Sequence, residues 1–337
     1  MINEEKKMLI KLDAHSSPLP KISVVIPLYN KAPHIARALD SVLAQTIQDF
    51  EIIILNDGST DGGETIVSNY SDSRIHLLNQ ENQGVSITRN RGVGVAHAEL
   101  VAFLDADDEW LPHFLETILQ LKKKYPKAGM YATGYEKVKE NIAIPKIFGD
   151  QKKDQLISSY IAAVNSNNGS EFIITSALAI PRNIFFEMGG FPEYAKRSED
   201  RYLRARIALN YSVAYSSNIY TKYHLSIVNG SVNIPDYHTD PFSDYIDDLP
   251  LENTINRVDF QEITEFCDWG KLEVTRVNIL HNHNAQQIRK YLHTITSPHC
   301  KHKKYLFILA SYVPNNILIC SYRNISKCLS HFRKHKY

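Results

Sequence analysis

The sequence is poor in cysteine and lacks the apolar segments that would direct a chain into or across a membrane. Its four cysteines match no disulfide framework. The first residues, MINEEKKMLIKLDAHSSPLP, have no apolar core of the kind found in signal peptides. No uninterrupted apolar run is long enough for a transmembrane helix. These absences predict a cytoplasmic protein with reduced thiols. The cysteines are Cys267, Cys300, Cys320 and Cys328.

Acidic side chains are absent from the end of the sequence, because none follows Glu273. Basic clusters at 301–304 and 333–336 flank the apolar but broken segment 305–322. Such a segment suits an anionic membrane interface, where apolar residues insert and lysines meet lipid phosphates. Alternatively, it forms a helical pair packed on the rest of the chain. No recognition motif accompanies the charge, so we expect no nucleic-acid partner. Acidic residues cluster instead between 236 and 268.

From residue 22 onward, short apolar β-branched runs alternate with segments of helical periodicity. KISVVIPLY, FEIIILND, RIHLLNQ and ELVAFL are predicted strands, each followed by a helical pattern. This alternation predicts an α/β fold with a mainly parallel sheet. In such sheets ligands bind beyond the carboxyl ends of the strands, where polar residues follow three of these runs. Further along we predict an irregular insertion at 141–170 and a strand over 171–181.

The segment FLDADDEW places several acids directly after a buried strand, where their mutual repulsion has to be compensated. In an extended chain Asp105 and Asp107 point the same way while Ala106 turns back. Two carboxylates at this spacing suit Mg²⁺ or Mn²⁺, which proteins hold through one or two carboxylates together with substrate phosphates. The alternative is a solvated turn in which the acids favour the start of the next helix.

Several long segments, in the order and spacing expected, resemble the family-2 glycosyltransferases that build bacterial surface polysaccharides. The resemblance extends over about residues 22–228 and implies a GT-A fold, a Rossmann-like sheet with flanking helices. The matching segments are SVVIPLYNK (23–31), EIIILNDGSTDGG (51–63), ENQGVSITRNRGVGVAHAELVAFLDADD (81–108) and GGFPEYAKRSEDRYLRAR (189–206).

The resemblance implies a role for each matching residue in binding a nucleotide-diphospho sugar. Asp57 corresponds to the carboxylate that binds the uracil imide, although Asn56 stands where the family usually has Asp. Tyr29 corresponds to an aromatic residue that lies against the base, and Pro27 lines the same wall. Alternatively, Tyr29 is an ordinary packing residue at the end of a strand. Arg89 corresponds to a basic residue near the ribose or diphosphate; alternatively it forms a helix salt bridge.

The same resemblance implies a metal site and a catalytic base. Asp105 corresponds to the carboxylate near the donor's ribose and Asp107 to the one that reaches the metal, so both are also counted among the donor-binding residues. Together they are expected to hold Mn²⁺ or Mg²⁺, and His224 to complete the coordination unless it is an ordinary loop histidine. As a Lewis acid, the cation would neutralise the departing nucleoside diphosphate. Asp200, or alternatively its neighbour Glu199, corresponds to the base that deprotonates the acceptor hydroxyl. The QxxRW signature of processive members is absent, so we expect one sugar per encounter.

The expected activity is therefore an inverting transfer of a hexosyl or N-acetylhexosaminyl group, most simply from a UDP-sugar, to a glycan or lipid-linked glycan. Alternatives are a non-catalytic nucleotide-sugar or glycan-binding module and a nucleotidyltransferase. A glycine-rich loop would favour the latter, yet PLYNKAPH contains no glycine. We expect a cytoplasmic enzyme, peripheral on the inner face of the cytoplasmic membrane if the tail binds lipid. The predicted segments are an extension (1–21), the GT-A domain (22–230), an acidic linker (231–270) and a basic helical region (271–337).

Overall fold

The structure, a computed structural model, describes residues 19–140, 142–149, 153–225, 238–248, 258–281 and 284–313. The chain divides into two compact units. The first comprises residues 1–160, 171–195 and 199–227, and the second comprises 161–170, 196–198 and 228–337. The predicted boundaries after residues 21, 230 and 270 stay predictions, and most of the predicted N-terminal extension lies outside the described residues.

The first unit is built on one mixed ten-stranded sheet. Its order is β3-β2-β1-β4-β9-β6-β10-β5, with β7 paired to β6 and β8 paired to β10. The four strands β3, β2, β1 and β4 run parallel. The strands are β1 Ile22–Leu28, β2 Phe50–Asp57, β3 Ile75–Gln80, β4 Leu100–Phe103, β5 Glu109–Trp110, β6 Met130–Lys139, β7 Ile142–Lys146, β8 Asp154–Ile157, β9 Leu178–Pro181 and β10 Val213–His224.

Helices follow the strands of the parallel region in the order that the sequence pattern predicts. The helices of the first unit are α1 Ala32–Leu43, α2 Gly63–Ser68, α3 Val85–Val95, α4 Phe114–Lys124, α6 Arg182–Glu187 and α7 Glu199–Asn210. Helix α5, Tyr160–Ser166, begins at the last residue of a segment of the first unit and otherwise belongs to the second unit. The other helices of the second unit are α8 Pro241–Asp247, α9 Phe260–Leu280, α10 Ala285–His293 and α11 Lys301–Ala310. The α/β class with a helical C-terminal region is therefore confirmed.

The central strand β1 is buried on both faces, which explains why its sequence is almost continuously apolar. On one face Val24 and Ile26 belong to the same buried cluster as Leu39 of α1. On the other face Gly92 of α3 lies so close to Val25 that an added Cβ would meet its Cγ1 at 2.5 Å. Only glycine permits this approach between helix and sheet.

The strand order reverses beside β1, because β2 pairs with one edge of β1 and β4 pairs with the other. Chain segments leaving the carboxyl ends of these two strands diverge, and the resulting crevice is where open α/β sheets bind ligands. Residues just after Leu28 and Phe103 therefore border this crevice, as do those after Asp57 at the end of β2.

The structure corrects two of the sequence-based predictions, one about the insertion at 141–170 and one about the strand at 171–181. Residues 141–170 are not irregular throughout, since they contain β7, β8 and α5. β7 is exposed and pairs antiparallel with β6, so its place in the sheet comes from tertiary pairing rather than from an apolar pattern. The strand predicted over 171–181 is confined to β9, which follows a 3₁₀ turn at Thr175–Ala177.

In the second unit the helices α9, α10 and α11 surround a separate apolar cluster that includes Trp269, Leu292 and Cys300. Asp268, almost fully buried, accepts hydrogen bonds from the backbone N–H groups of Thr296 (2.8 Å) and Ser297 (2.7 Å), which joins α9 to the segment before α11. Within the described parts of the chain, none of the helices has the length and apolar character needed to cross a membrane.

Candidate functional site

A cavity of about 370 Å³ opens at the carboxyl ends of β1, β2 and β4. The structure brings all six residues predicted to bind the donor nucleotide to this one cavity, although they come from four separate stretches of sequence. Its volume falls in the range usual for small-molecule sites. The predicted residues that line it are Pro27, Tyr29, Asp57, Arg89, Asp105 and Asp107, together with Lys31, Asn82, Gly84, Val85 and Thr88 among others.

Asp57, the predicted base-binding carboxylate, also organises the floor of the cavity. Its Oδ1 accepts hydrogen bonds from Gln80 Nε2 (2.7 Å) and from the backbone N–H of Gln83 (2.9 Å). Its Oδ2 accepts one from the backbone N–H of Gly84 (2.9 Å), the residue before α3. The carboxylate therefore holds the segment leading into α3, in addition to any contact that it makes with a ligand.

Asn56 differs from the aspartate usual in the resembling family, and its contacts explain the difference. Its Nδ2 donates to Glu64 Oε2 (2.8 Å) and Asn79 Oδ1 (3.0 Å), while its Oδ1 accepts from the backbone N–H of Ser59 (3.0 Å). A carboxylate could not donate to Glu64 and would repel it. The amide thus suits a position that has an acidic neighbour, and it leaves Asp57 free to line the cavity.

Tyr29 stands at the edge of the cavity with 49% of its surface exposed. This exposure does not fit the alternative of ordinary strand-end packing, since β1 itself is buried. An exposed aromatic ring on a cavity wall is suited to stacking on a planar ligand.

Arg89 is buried, with 5% of its side chain exposed, and connects two carboxylates. Its Nη2 lies 2.6 Å from Asp105 Oδ1, and its Nη1 lies 3.0 Å from Glu199 Oε1. Burial by itself would lower the pKa of Arg89, but the two carboxylates raise it. Its guanidinium also lies over the ring of Phe191 at 5.1 Å. The arginine is therefore a buried ion-pair centre rather than part of a surface helix salt bridge.

The acidic segment after β4 forms a turn and not the extended arrangement that the alternation argument assumed. β4 ends at Phe103, and the backbone N–H of Asp108 donates to the carbonyl of Asp105 at 3.0 Å. Asp105 and Asp107 both line the cavity. Ala106 borders it too, but only 2% of Ala106 is exposed and it belongs to the buried apolar cluster, which agrees with the prediction that its side chain turns away. The turn brings the residues together because it is anchored by a third acid, Asp108.

Asp108 is fully buried and closes this turn. Its Oδ2 accepts from Ser176 Oγ (2.5 Å), and its Oδ1 accepts from the backbone N–H of His224 (3.1 Å). Burial, reinforced by Asp105, raises its pKa well above the usual range for an aspartate. Asp108 therefore has a structural position, while Asp105 and Asp107 face the cavity.

The two cavity-lining carboxylates are each paired with a basic side chain. Lys31 Nζ lies 2.6 Å from Asp107 Oδ2, with 24% of each side chain exposed, and Arg89 pairs with Asp105. Two carboxylates beside a cavity form a hard-oxygen donor set that fits Mg²⁺ or Mn²⁺ when substrate phosphates and water supply the other ligands. Among the described residues no group of three or more His, Cys, Asp or Glu side chains is arranged to hold a metal ion.

His224, predicted as a third metal ligand, lies beside the acidic turn but is not among the described residues that line the cavity. Its Nε2 is 3.8 Å from Glu109 Oε1. Burial, together with Arg37, lowers the pKa of His224 and favours a neutral imidazole. Neutral imidazole is the form that binds metals, which is compatible with the predicted role. The assignment of His224 as a metal ligand stays a prediction.

The predicted acid pair stands at the start of α7, where Glu199 contacts Arg89 and Asp200 contacts Arg204. Glu199 has 15% of its side chain exposed and Asp200 has 32%. Burial and the neighbouring Asp200 raise the pKa of Glu199. Burial would also raise the pKa of Asp200, but Arg204 brings it below the usual range. Two adjacent carboxyl groups therefore differ in proton affinity because each has its own arginine.

The sequence analysis overlooked three residues that complete the site. Lys31 follows Tyr29 by two positions in a segment already recognised. Arg204 follows Asp200 by four positions, a helical spacing that could have indicated an ion pair. Glu171, which pairs with Arg204, is distant in sequence from α7, and no sequence pattern connects them.

Comparison with known proteins shows which families and structures the chain is similar to. The family model described as "Glycosyl transferase family 2" matches residues 23–185. The uncharacterized glycosyltransferase YibD of Escherichia coli is 46% identical over 103 residues, 30% of each chain. An uncharacterized glycosyltransferase of Rickettsia bellii is 31% identical over 233 residues, 67% of this chain and 33% of that protein. The matches thus span about a third or less of these two relatives.

Among solved structures, TarS of S. aureus (residues 1–349), crystallised with UDP-GlcNAc, superposes with a TM-score of 0.63. The match covers 87% of this chain and 89% of that one at 16% sequence identity. The same TarS region crystallised with UDP superposes with a TM-score of 0.53. At this identity the likeness concerns the fold, and it confirms the predicted GT-A architecture.

Replacing Arg89 with methionine is expected to destabilise the protein by about 3 kcal/mol near neutral pH, because Asp105 and Glu199 lose a buried counter-ion. The loss should shrink as pH falls, since Glu199 then takes up a proton instead of remaining an unpaired anion. Urea denaturation between pH 5 and 8 measures the effect.

Arg91→Met is the matched control, because Arg91 is exposed on the same helix and bonds only Gln80 Oε1 (3.0 Å) among the contacts described. Its substitution should change stability by less than about 0.5 kcal/mol. Equal losses for the two variants would contradict the assignment of Arg89 as a buried ion-pair centre.

Proposed function

The chain belongs to glycosyl transferase family 2, and from this membership we propose that it transfers one sugar from a nucleotide-diphospho sugar, a UDP-sugar, to a glycan or lipid-linked glycan acceptor. The observation that carries the proposal is the single cavity lined by all six predicted donor residues. It is supported by the TarS structures that share this fold, which were crystallised with UDP-GlcNAc or UDP.

The proposed donor site assigns a separate part of the nucleotide to each element that borders the cavity. The exposed ring of Tyr29 stacks on the base, with Pro27 beside it on the same wall. Asp57 accepts a hydrogen bond from the base imide through the lone pairs that its backbone contacts leave available. Arg89 and Asp105 stand next to one another on the ribose and diphosphate side.

The proposed reaction is a single displacement with inversion at the anomeric carbon. The acceptor oxygen forms a bond to that carbon while the bond to the diphosphate oxygen breaks, and the nucleoside diphosphate leaves. Asp200 takes the proton of the acceptor hydroxyl, which requires an ionised carboxylate. Glu199 remains the alternative base. Its raised pKa makes it the stronger proton acceptor of the two, but its carboxylate is engaged by Arg89.

A divalent cation, Mn²⁺ or Mg²⁺, would be held by Asp107 and Asp105, with His224 as a further proposed ligand. When bound, such a cation neutralises negative charge on the leaving diphosphate. Lys31 pairs with Asp107 Oδ2 at 2.6 Å, so the lysine would compete with a cation for this carboxylate.

We also propose that the C-terminal region contacts an anionic membrane surface on the inner face of the cytoplasmic membrane. α11 exposes apolar side chains that include Leu306 (63% exposed) and Leu309 (65%), directly after the basic cluster KHKK. Apolar groups flanked by lysines suit an anionic lipid interface. The remainder of the predicted apolar segment, from residue 314, lies outside the described residues.

The donor assignment predicts that Tyr29→Ala weakens UDP binding by about tenfold or more, because stacking of a base on an aromatic ring contributes about 1–3 kcal/mol. Titration calorimetry with UDP and Mg²⁺ measures this. Phe186→Ala is the matched control, since Phe186 is equally exposed (48%) but lies outside the cavity. If both variants bind UDP like the wild type, the nucleotide does not stack on Tyr29.

The base assignment predicts that Asp200→Asn lowers turnover by at least about 100-fold while UDP affinity is retained. The assay follows product formation from a panel of UDP-sugars and compares Glu199→Gln. Full turnover in Asp200→Asn would remove Asp200 as the base. Release of pyrophosphate would identify a nucleotidyltransferase, and UDP binding without turnover of any donor would favour a binding module.

The competition between Lys31 and the cation can be measured with Mn²⁺ alone. Asp107→Asn should weaken Mn²⁺ binding at least tenfold. Lys31→Met should tighten it about fivefold, since removing an ion pair of about 1 kcal/mol frees the carboxylate. Electron paramagnetic resonance of unbound Mn²⁺ gives both affinities. Lys21→Met, which removes an exposed lysine paired with Asp49, is the control. No saturable Mn²⁺ binding would contradict the metal assignment.

The membrane proposal predicts that the full chain co-sediments with phosphatidylglycerol vesicles and not with phosphatidylcholine vesicles. Replacing both Leu306 and Leu309 with glutamine should lower the bound fraction several-fold. Leu156→Gln, at a comparably exposed position on β8, should leave binding unchanged. Equal binding by the double variant, or a change in oligomeric state instead, would show that this face does not contact lipid.

A further inference from the structure

Asp200 is held from two sides by groups of its own helix. Its Oδ1 accepts from the backbone N–H of Arg201 (2.7 Å), and its Oδ2 lies 2.8 Å from Arg204 Nη1. One contact comes from rigid backbone and the other from a planar guanidinium, so the carboxylate plane is defined on both oxygens. With 32% of the side chain exposed, part of it still faces solvent and can meet a ligand.

Arg204 is itself immobilised by a second carboxylate. Only 4% of its side chain is exposed, and its Nη2 pairs with Glu171 Oε2. Glu171 Oε1 also lies 3.1 Å from Arg201 Nε. A long side chain that is buried and bound at both terminal guanidinium nitrogens, Nη1 and Nη2, has little rotational freedom left. The arginine can therefore act as a fixed support for Asp200.

The charged and titratable groups around Asp200 come from several elements. Glu199 and Arg204 share its helix, Arg89 faces it from α3, and Tyr223 faces it from β10. Burial and the repulsion from Glu199 both favour the protonated form of Asp200, whereas Arg204, Arg89 and the backbone N–H of Arg201 favour the carboxylate. Of Arg89 and Arg204, Arg204 is the one whose guanidinium contacts Asp200 directly.

We propose that Arg204, supported by Glu171, is a positioning residue that orients Asp200 and keeps it as a carboxylate facing the acceptor. The inference rests on the proposed function, in which Asp200 takes the acceptor proton. Arg89 does the corresponding work for Glu199 and ties that acid to the donor side. The two arginines thus give adjacent acids different roles.

The test compares Arg204→Met and Arg204→Lys in the full chain. In Arg204→Met the acidic limb of the pH profile of kcat/KM should move upward by about 1 pH unit or more, because Asp200 loses a guanidinium that contacts it directly and burial is then opposed less strongly. The activity depends on the ionised form, so it is lost at a higher pH than in the wild type. The ¹³C signal of the Asp200 carboxyl, assigned with Asp200→Asn, should titrate at the same higher pH.

Arg204→Lys retains the charge but not the planar fork. In this variant the acidic limb of the kcat/KM profile should stay near its wild-type pH, kcat should fall several-fold, and UDP affinity should be unchanged. If Arg204→Met does not fold, the kcat of Arg204→Lys still tests whether Arg204 positions Asp200. Arg206→Met is the control, because its described contact is to Tyr202 OH (3.2 Å) and not to Asp200.

The outcomes separate this inference from the proposed function. If Asp200→Asn keeps full turnover, Asp200 is not the base and both proposals fall. If Asp200→Asn is inactive but Arg204→Met and Arg204→Lys keep the wild-type limb and kcat, only the positioning role of Arg204 is wrong. If the limb and the carboxyl titration both move in Arg204→Met alone, the inference stands.

Discussion

The contact of Arg89 with Asp105 and Glu199 is the constraint on which the arrangement of the site depends. A guanidinium with 5% of its side chain exposed has to be neutralised, and its geometry allows two carboxylates to share it. One of these acids follows β4 and the other begins α7, far apart in the sequence. Burying this charge therefore fixes the distance between the nucleotide cavity and the acid pair. In the proposed reaction, that distance separates the leaving group from the base.

Buried charges of this kind seldom add much stability relative to apolar packing, and their retention calls for another reason. Around this cavity each acid has its own partner: Lys31 for Asp107, Arg89 for Asp105 and Glu199, and Arg204 for Asp200. Such pairing places a basic side chain beside each of several carboxylates within a small volume. A site that binds a diphosphate, a cation and a hydroxyl in succession needs charges that are already oriented, because reorienting them during the reaction would be costly.

The acidic turn shows how a single short motif is divided between structure and function. Asp108 is buried and fastens the turn to Ser176 and to the backbone of His224. Asp105 and Asp107 of the same motif line the cavity, and the turn that contains them is closed by this anchor. The alternation rule for extended strands predicted the right pair of residues for an incorrect reason, since the strand ends before the motif begins.

Sequence by itself determined the α/β class, the family and six of the residues that line the cavity, because these follow from local periodicity and from continuous motifs such as SVVIPLYNK. It could not reveal that Asn56 donates to Glu64, that Lys31 pairs with Asp107, or that Glu171 supports Arg204. Each of these contacts joins side chains whose proximity is set by chain packing. Long-range ion pairs leave no periodic trace in the sequence, whereas buried strands and helices do. Tertiary structure alone therefore decided which acid has which partner, and with it the difference in proton affinity between Glu199 and Asp200.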